Sequence, residues 1–130
     1  MKKGEYYIEK IQESKSIIKD KNISQILDKM DGLVQMIFYE LDVYPQQLEK
    51  LGLFLNYYLP TTDKLLEAYI DADSKQIKGK NLTKTKKEIE RTLGSINDAF
   101  ERTLDKFYQE KEIDIAGEIA ALEIMMQQER

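Results

Sequence analysis

Asp71 and Asp73, separated by one residue, have the Asp-x-Asp spacing found in some enzymes that hydrolyse phosphate esters. At the end of a strand, such a pair can supply a nucleophile and a general acid to a phosphate ester. Here the surrounding apolar spacing is helical, and residues two apart on a helix point about 200° away from each other. The pair also fails as a calcium loop, because Lys75 and Ile77 occupy positions where oxygen ligands and the neighbouring glycine would be needed. We interpret both aspartates as solvated helix residues.

Carboxylates along the second predicted helix are the next candidates, as ligands of a metal ion. They are Asp28, Asp31, Glu40 and Asp42. Metal sites in helical bundles usually add Glu-x-x-His pairs, and the chain has neither histidine nor cysteine. A weak Mg²⁺ site built from carboxylates alone stays open, although outward charged faces are the plainer interpretation. We expect no catalytic residue, no metal and no cofactor.

A lysine cluster is the most distinctive electrostatic feature of the chain. No aspartate or glutamate occurs between Asp73 and Glu88, and six lysines surround the turn at Gly79: Lys75, Lys78, Lys80, Lys84, Lys86 and Lys87. Such a surface can face phosphate groups or anionic lipid headgroups, at about 1 kcal/mol per lysine. A solvated lysine-rich turn is the plainer alternative. Nucleic acid fits less well, because the net charge is −4 and the cluster has no aromatic residue.

Composition limits the class of protein to which these residues belong. The 130 residues, 42% hydrophobic and 34% charged, suit one domain, 1–130, of amphipathic helices. No apolar run reaches the length of a bilayer span, and no signal-peptide core follows the first residues. We therefore expect a soluble, cytoplasmic protein.

The elements that must position these residues are helices. Apolar residues recur at steps of three and four along the chain, and they never alternate as in a strand. Three long helical stretches are expected near 22–42, 46–78 and 82–110, with shorter helices packing at each end. The predicted fold class is an all-α antiparallel helical bundle.

Local signals subdivide these stretches. Pro60 falls inside the second stretch, where one kinked helix is favoured over two separate helices. Gly32 suggests a close approach of another helix to the first stretch. Glu110-Lys111-Glu112 is expected to end the third, and a last helix from Asp114 would bury an inner face. The members of that face are Ile115, Ile119, Leu122, Met125 and Met126.

Three segments in the second half of the chain carry a family resemblance. They read YLPTTDKLLEAY (58–69), TLGSINDAFERTLDKFY (92–108) and IDIAGEIAALEIMMQQE (113–129). Over residues 56–129 the chain resembles the XpaC-like family, named for hydrolysis of 5-bromo-4-chloroindolyl phosphate. The resemblance implies a bacterial origin and, by its name, a phosphatase-linked phenotype, but it transfers no catalytic residue. Members often carry a membrane-spanning hairpin ahead of this region, so membrane association is expected of the full-length protein.

The functional expectation combines these observations. Phosphate-ester hydrolysis needs an activated nucleophile, a metal cluster or a convergent anion site, and the residue types for these are missing. We therefore expect a non-catalytic helical interaction module near the inner membrane face. It would act through a protein partner or through peripheral contact with anionic lipid, and not through nucleic acid. A hydrolase of small aromatic phosphate esters is the alternative. The oligomeric state stays open.

Overall fold

The computed structural model describes residues 2–77 and 79–129. Four α-helices dominate it: α1 (Lys2–Ile17), α2 (Lys21–Val43), α3 (Leu59–Asp73) and α4 (Lys80–Gln128). Between α2 and α3 run a 3₁₀ helix, Pro45–Leu51, and a π-helical turn, Phe54–Tyr58. No strand occurs among the described residues, and the predicted all-α bundle is confirmed. None of the described helices has an apolar stretch long enough to cross a bilayer.

Side-chain contacts fix the directions of α1, α2 and α4. Gln12 of α1 bonds to Asp31 of α2, and Lys15, further along α1, contacts Asp28, earlier in α2. These two helices are therefore antiparallel. Asn97 of α4 donates its side-chain amide to the backbone carbonyl of Ile26 at 2.9 Å, and Lys111 reaches Glu40. Residue numbers therefore increase in the same direction along α2 and α4, so these two helices are parallel.

The remaining pairs close the bundle. Lys86 of α4 contacts Asp73 at the end of α3, while Phe100 meets Tyr58 just before the start of α3, so α3 and α4 are antiparallel. Helix α1 packs on both α2 and α3, and α4 also packs on both. Consecutive helices run up and down in turn, as expected for short connections, and α2 and α3 face each other across the core.

The core follows from the apolar stripe that each helix carries. Residues with less than 1% exposure come from both parallel helices, α2 and α4. They are Ile23, Leu27, Met30, Val34, Ile37, Leu93 and Phe100. Helix α1 approaches α2 closely at Gly4, where an added Cβ would lie 2.8 Å from the ring of Phe38. Gly32, in contrast, has open space around it in the described structure, so it makes no close intramolecular contact.

The backbone stays helical on both sides of Pro60, as predicted for a kinked helix. The π-helical turn directly before it widens the helix: the backbone N–H of Leu59 donates to Phe54, five residues back. This wider turn makes room for a proline ring that would clash with the carbonyl four residues earlier. The buried Thr62 hydroxyl donates to the carbonyl of Tyr58 at 2.7 Å.

Two boundary predictions were wrong. The second long stretch ends at Asp73 and not at 78. The expected break at Glu110-Lys111-Glu112 is absent, because α4 continues without interruption to Gln128. Lysine and glutamate are good helix formers, and neither proline nor glycine is present there to end the helix.

Candidate functional site

The last third of α4 projects beyond the four-helix body. Every residue from Glu112 to Glu129 is exposed, whereas Leu104 and Phe107 are buried. Lys111 is the anchor at the boundary, since its ammonium lies 2.7 Å from a carboxylate oxygen of the buried Glu40. This hydrogen bond raises the pKa of Lys111. We call residues 112–129 the arm.

One side of the arm carries an uncovered apolar stripe. Its members recur at steps of four, three and four residues: Ile115 (58% exposed), Ile119 (52%), Leu122 (56%) and Met126 (50%). Such steps keep side chains on one face of an α-helix. Sequence reasoning placed this face, with Met125, against the bundle, and that placement was wrong. The stripe itself is present, but nothing in the described chain covers it. A contiguous exposed apolar face of this kind is typical of an interaction site.

The opposite side of the arm is built differently. Ile113 and Ile124 are exposed there by 71% and 57%. The positions between them on that side, Gly117 and Ala120, have little or no side chain. The arm is also acidic, with Glu112, Asp114, Glu118, Glu123 and Glu129 and no lysine or arginine. An anionic surface would therefore repel it.

A cleft of about 230 Å³ opens at the base of the arm, between α4 and the short helices that precede α3. Its apolar wall includes Phe54 and Tyr58, whose rings lie 5.0 Å and 6.3 Å from the ring of the buried Phe100. Phe54 and Tyr58 belong to the π-helical turn, so the widening before Pro60 shapes this cleft. Sequence reasoning missed the cleft.

Charges surround the rim of the cleft. Lys50 donates to Glu110 at 2.8 Å, and this hydrogen bond lowers the pKa of the Glu110 carboxyl. Arg102 and Lys106 form no ion pair with a carboxylate of the described residues. The hydroxyl of Thr103 donates to a backbone carbonyl one turn earlier. The rim is therefore cationic overall, and its one carboxylate is held by a lysine.

The predicted lysine cluster divides into paired and unpaired members. Lys75 lies 3.5 Å from Asp71. Lys86 bonds to Asp73 at 2.7 Å and lies over the ring of Tyr69, and its pKa is raised by that bond. The two aspartates considered above for phosphate chemistry thus neutralise two of the six lysines. Lys78 lies outside the described residues.

The unpaired members form a stripe with a residue that sequence reasoning left out. Lys80, Lys84, Lys87 and Arg91 recur at steps of four, three and four on the first three turns of α4. They line one shallow groove and pair with no carboxylate of the described residues. We call these four residues the basic stripe. The helical register of Arg91 was the signal that could have identified it.

The acidic residues considered as metal ligands are engaged in structure. Asp31 accepts hydrogen bonds from Gln12 and Gln35, and Lys15 lies 2.8 Å from Asp28 and 3.6 Å from Asp31. The contacts of Gln12 and Lys15 join α1 to α2, and that of Gln35 lies within α2. Within residues 2–77 and 79–129, no three acidic side chains come together as a metal site would need.

Comparison with known proteins identifies a family. The model of the family described as 5-bromo-4-chloroindolyl phosphate hydrolysis protein matches residues 1–121. The match includes the N-terminal third, which the resemblance over residues 56–129 did not. No curated protein matches the chain. No solved structure matches it either.

Proposed function

We propose that this chain, which belongs to the 5-bromo-4-chloroindolyl phosphate hydrolysis protein family, is a non-catalytic helical interaction module. The four-helix body holds the arm in position, and the arm binds a protein partner through its apolar stripe. One observation carries the proposal: Ile115, Ile119, Leu122 and Met126 are half or more exposed along a single helix face.

The chemistry of the arm favours a protein helix as the partner. Side chains at alternating steps of four and three interdigitate with the side chains of a second helix. Lipid is a poorer partner for this surface, because the carboxylates of the arm would meet anionic headgroups. A protein helix can cover the apolar stripe and leave the carboxylates in water.

A photo-crosslinking amino acid in place of Leu122 tests the proposal in cells. The matched control carries it in place of Ile124, which is equally exposed on the other side of the arm. We expect a discrete protein adduct from position 122 and a weaker one from position 124. Adducts of equal strength from both positions, or no protein adduct from 122, would contradict the assignment.

The basic stripe supports a second contact, at the inner membrane face. Its four cations, which pair with no carboxylate in the described part of the chain, lie at the far end of α4 from the acidic arm, so the molecule is electrically polarised. Attraction of this kind is screened over about 8 Å at physiological salt, and it should therefore weaken steeply as salt rises. Charge alone gives reversible attachment, which suits a peripheral protein.

Co-sedimentation with vesicles tests this contact. We compare neutral vesicles with vesicles that contain anionic lipid, using the native chain and a variant with Lys80, Lys84 and Lys87 changed to Gln. The control variant removes the same charge from exposed lysines away from that end of the bundle: Lys3, Lys50 and Lys64. We expect binding to anionic vesicles that only the first variant loses. Equal binding by both variants would leave the basic stripe as an ordinary solvated surface.

The family description favours one alternative function, hydrolysis of small aromatic phosphate esters. The cleft at the base of the arm could take such a ligand, since it joins an aromatic wall to Arg102 and Lys106, for which the described residues supply no carboxylate partner. Its carboxylate, Glu110, is bound to Lys50, and no histidine or cysteine exists to activate a nucleophile. Hydrolysis would therefore require a carboxylate and a borrowed metal ion.

An activity assay separates the two functions. The purified chain is incubated with 5-bromo-4-chloroindolyl phosphate in the presence of Mg²⁺, Mn²⁺ or Zn²⁺. We expect no turnover above that of a mock purification. Turnover that persists through repurification and disappears in a Glu110→Gln variant would establish the hydrolase instead.

A further inference from the structure

We propose that the protein partner of the arm is a basic amphipathic helix, which packs on the arm along the line that α2 follows lower on α4. This inference rests on the proposed function and names the chemistry of its partner. Two observations carry it. The apolar stripe continues the side of α4 that α2 covers, and carboxylates flank the stripe on both edges.

The side of α4 that faces α2 continues into the arm. Contacts with α2 mark this side on the four-helix body, at Asn97, Glu101 and Lys111. Ile115 follows Lys111 by about one turn. From Ile115 the steps of four, three and four that define the stripe keep the same side of the helix. The stripe is therefore the continuation of the surface on which α2 packs.

Helix α2 ends near the base of the arm. Glu40, which pairs with Lys111, lies three residues before the end of α2 at Val43. At 1.5 Å per residue, α2 extends only about 5 Å beyond the level of Lys111, whereas Ile119 lies about 12 Å beyond it. A further helix on the same line would cover the stripe from Ile119 to Met126, as α2 covers the positions before it.

The two edges of the stripe are acidic. Glu123 follows the stripe residue Leu122, and Glu118 precedes the stripe residue Ile119, so these two carboxylates lie on opposite edges. Eleven residues are about three turns of helix. Glu112 therefore shares the edge of Glu123, and Glu129 shares the edge of Glu118. All four side chains are exposed in the structure.

The body of the protein shows how a carboxylate in this position is satisfied. Glu101 lies eleven residues before Glu112 and belongs to the same row, and it pairs with Lys29 of α2. A helix that follows the line of α2 along the arm can pair with Glu112 and Glu123 in the same way if it carries lysine or arginine at the matching positions. Charged residues that flank an apolar seam between helices determine which partner is accepted.

The distribution of charge along the chain favours the same partner. Residues 1–111 contain equal numbers of acidic and basic residues, so the net charge of −4 comes entirely from residues 112–130. The arm itself has five carboxylates and no lysine or arginine. An acidic helix, or the arm of a second copy of this chain, would place like charges beside one another, which is unfavourable. A cationic helix complements the arm.

Synthetic peptides of about 18 residues, long enough to span the stripe, test the chemistry of the partner. Fluorescence anisotropy measures their binding to the full chain. All three peptides carry leucine at steps of four and three, and the residues that flank the leucines are lysine, glutamine or glutamate. We expect the lysine peptide to bind on the order of tenfold more tightly than the glutamate peptide, with the glutamine peptide between them. Equal affinities would overturn the proposal.

Two matched pairs of variants locate the lysine peptide on the arm. Leu122→Glu adds a carboxylate, so attraction by charge alone would strengthen binding, whereas packing on the stripe predicts a loss on the order of 100-fold. Ile124→Glu adds the same charge on the other side of the arm and should cause no loss. Glu123→Lys should weaken binding about fivefold, and Asp114→Lys, which lies farther from the stripe, less than about twofold. Equal effects within either pair would overturn docking on the stripe.

The photo-crosslink from position 122 separates this inference from the proposed function. Mass spectrometry of the adduct identifies the segment of the partner that touches Leu122. We expect an apolar stripe at helical spacing with lysine or arginine on its edges. An adduct with a segment that lacks these cations, or with a second copy of this chain, would overturn the basic helix and leave the proposed function standing. Absence of any protein adduct would overturn both.

Discussion

Phe100 packs α4 against the π-helical turn that forms the apolar wall of the cleft. It lies in α4 with 0% exposure, and its ring packs edge-on against Phe54 at 5.0 Å and near Tyr58 at 6.3 Å. Phe54 in turn lies 5.6 Å from Phe38 of α2. These ring contacts therefore join α2, the π-helical turn and α4. We consider the change Phe100→Ala.

The size of the effect follows from burial. Truncation of a fully buried phenylalanine to alanine costs about 3–5 kcal/mol, from lost transfer free energy and from the cavity left behind. Because the edge-on ring contacts are lost as well, the cost of Phe100→Ala should not fall at the lower end of that range. With an unfolding entropy of about 2.1 cal/mol/K per residue, a cost of about 4 kcal/mol lowers the Tm by about 15 °C.

Thermal unfolding followed by far-UV circular dichroism measures this change. Tyr57→Ala is the control, since Tyr57 is 61% exposed and touches only the edge of Tyr58. We expect its free energy of unfolding to change by less than about 0.5 kcal/mol. A Phe100→Ala variant that unfolds within about 3 °C of the native chain would refute the packing described for α4 and the π-helical turn.

Three further changes test other parts of the fold. Gly4→Ala forces a methyl group against the ring of Phe38 and should cost about 1–3 kcal/mol, measured by denaturant unfolding; an unchanged midpoint would contradict the close approach of α1. Thr62→Val removes a hydrogen bond in a buried position and should cost about 1 kcal/mol, whereas an unchanged stability would contradict that bond. Burial and the charge of Glu67 raise the pKa of Asp63 above 3.8, so its contribution to stability is present at lower pH and is lost as pH rises through the folded-state pKa. Asp63→Asn should therefore stabilise the chain at pH 7 and leave it unchanged at about pH 3, and the reverse pattern would contradict the sign.

The helices could be predicted from the sequence because their cause is local. Apolar residues at steps of three and four, as in Ile89, Leu93, Ile96 and Phe100, mark the buried side of a helix whatever covers it. The helical path through Pro60 was also predictable, since no glycine or polar linker interrupts the chain there. The π-helical turn that accommodates Pro60 was not, because it depends on how Phe54 packs in the core.

The candidate site was harder to predict because its causes are not local. A stripe such as Ile115 to Met126 shows that a face is apolar, but it does not show whether that face is covered. The sequence predicted that this face packs against the bundle. Helix α4 instead continues without a break after Lys111, so the face is left exposed. Likewise, the pairing of Lys86 with Asp73 arises only when α3 and α4 fold back on each other.

Amide hydrogen exchange across residues 112–129 tests most directly the claim that the arm is a binding surface. In the purified chain alone, we expect fast exchange throughout the arm and slow exchange in the core of α2, because an uncovered helix end opens easily. In the presence of the protein that crosslinks to position 122, we expect the arm to become protected while α2 stays unchanged. Strong protection of the arm in the chain alone would mean that it packs on its own body, which would contradict the account.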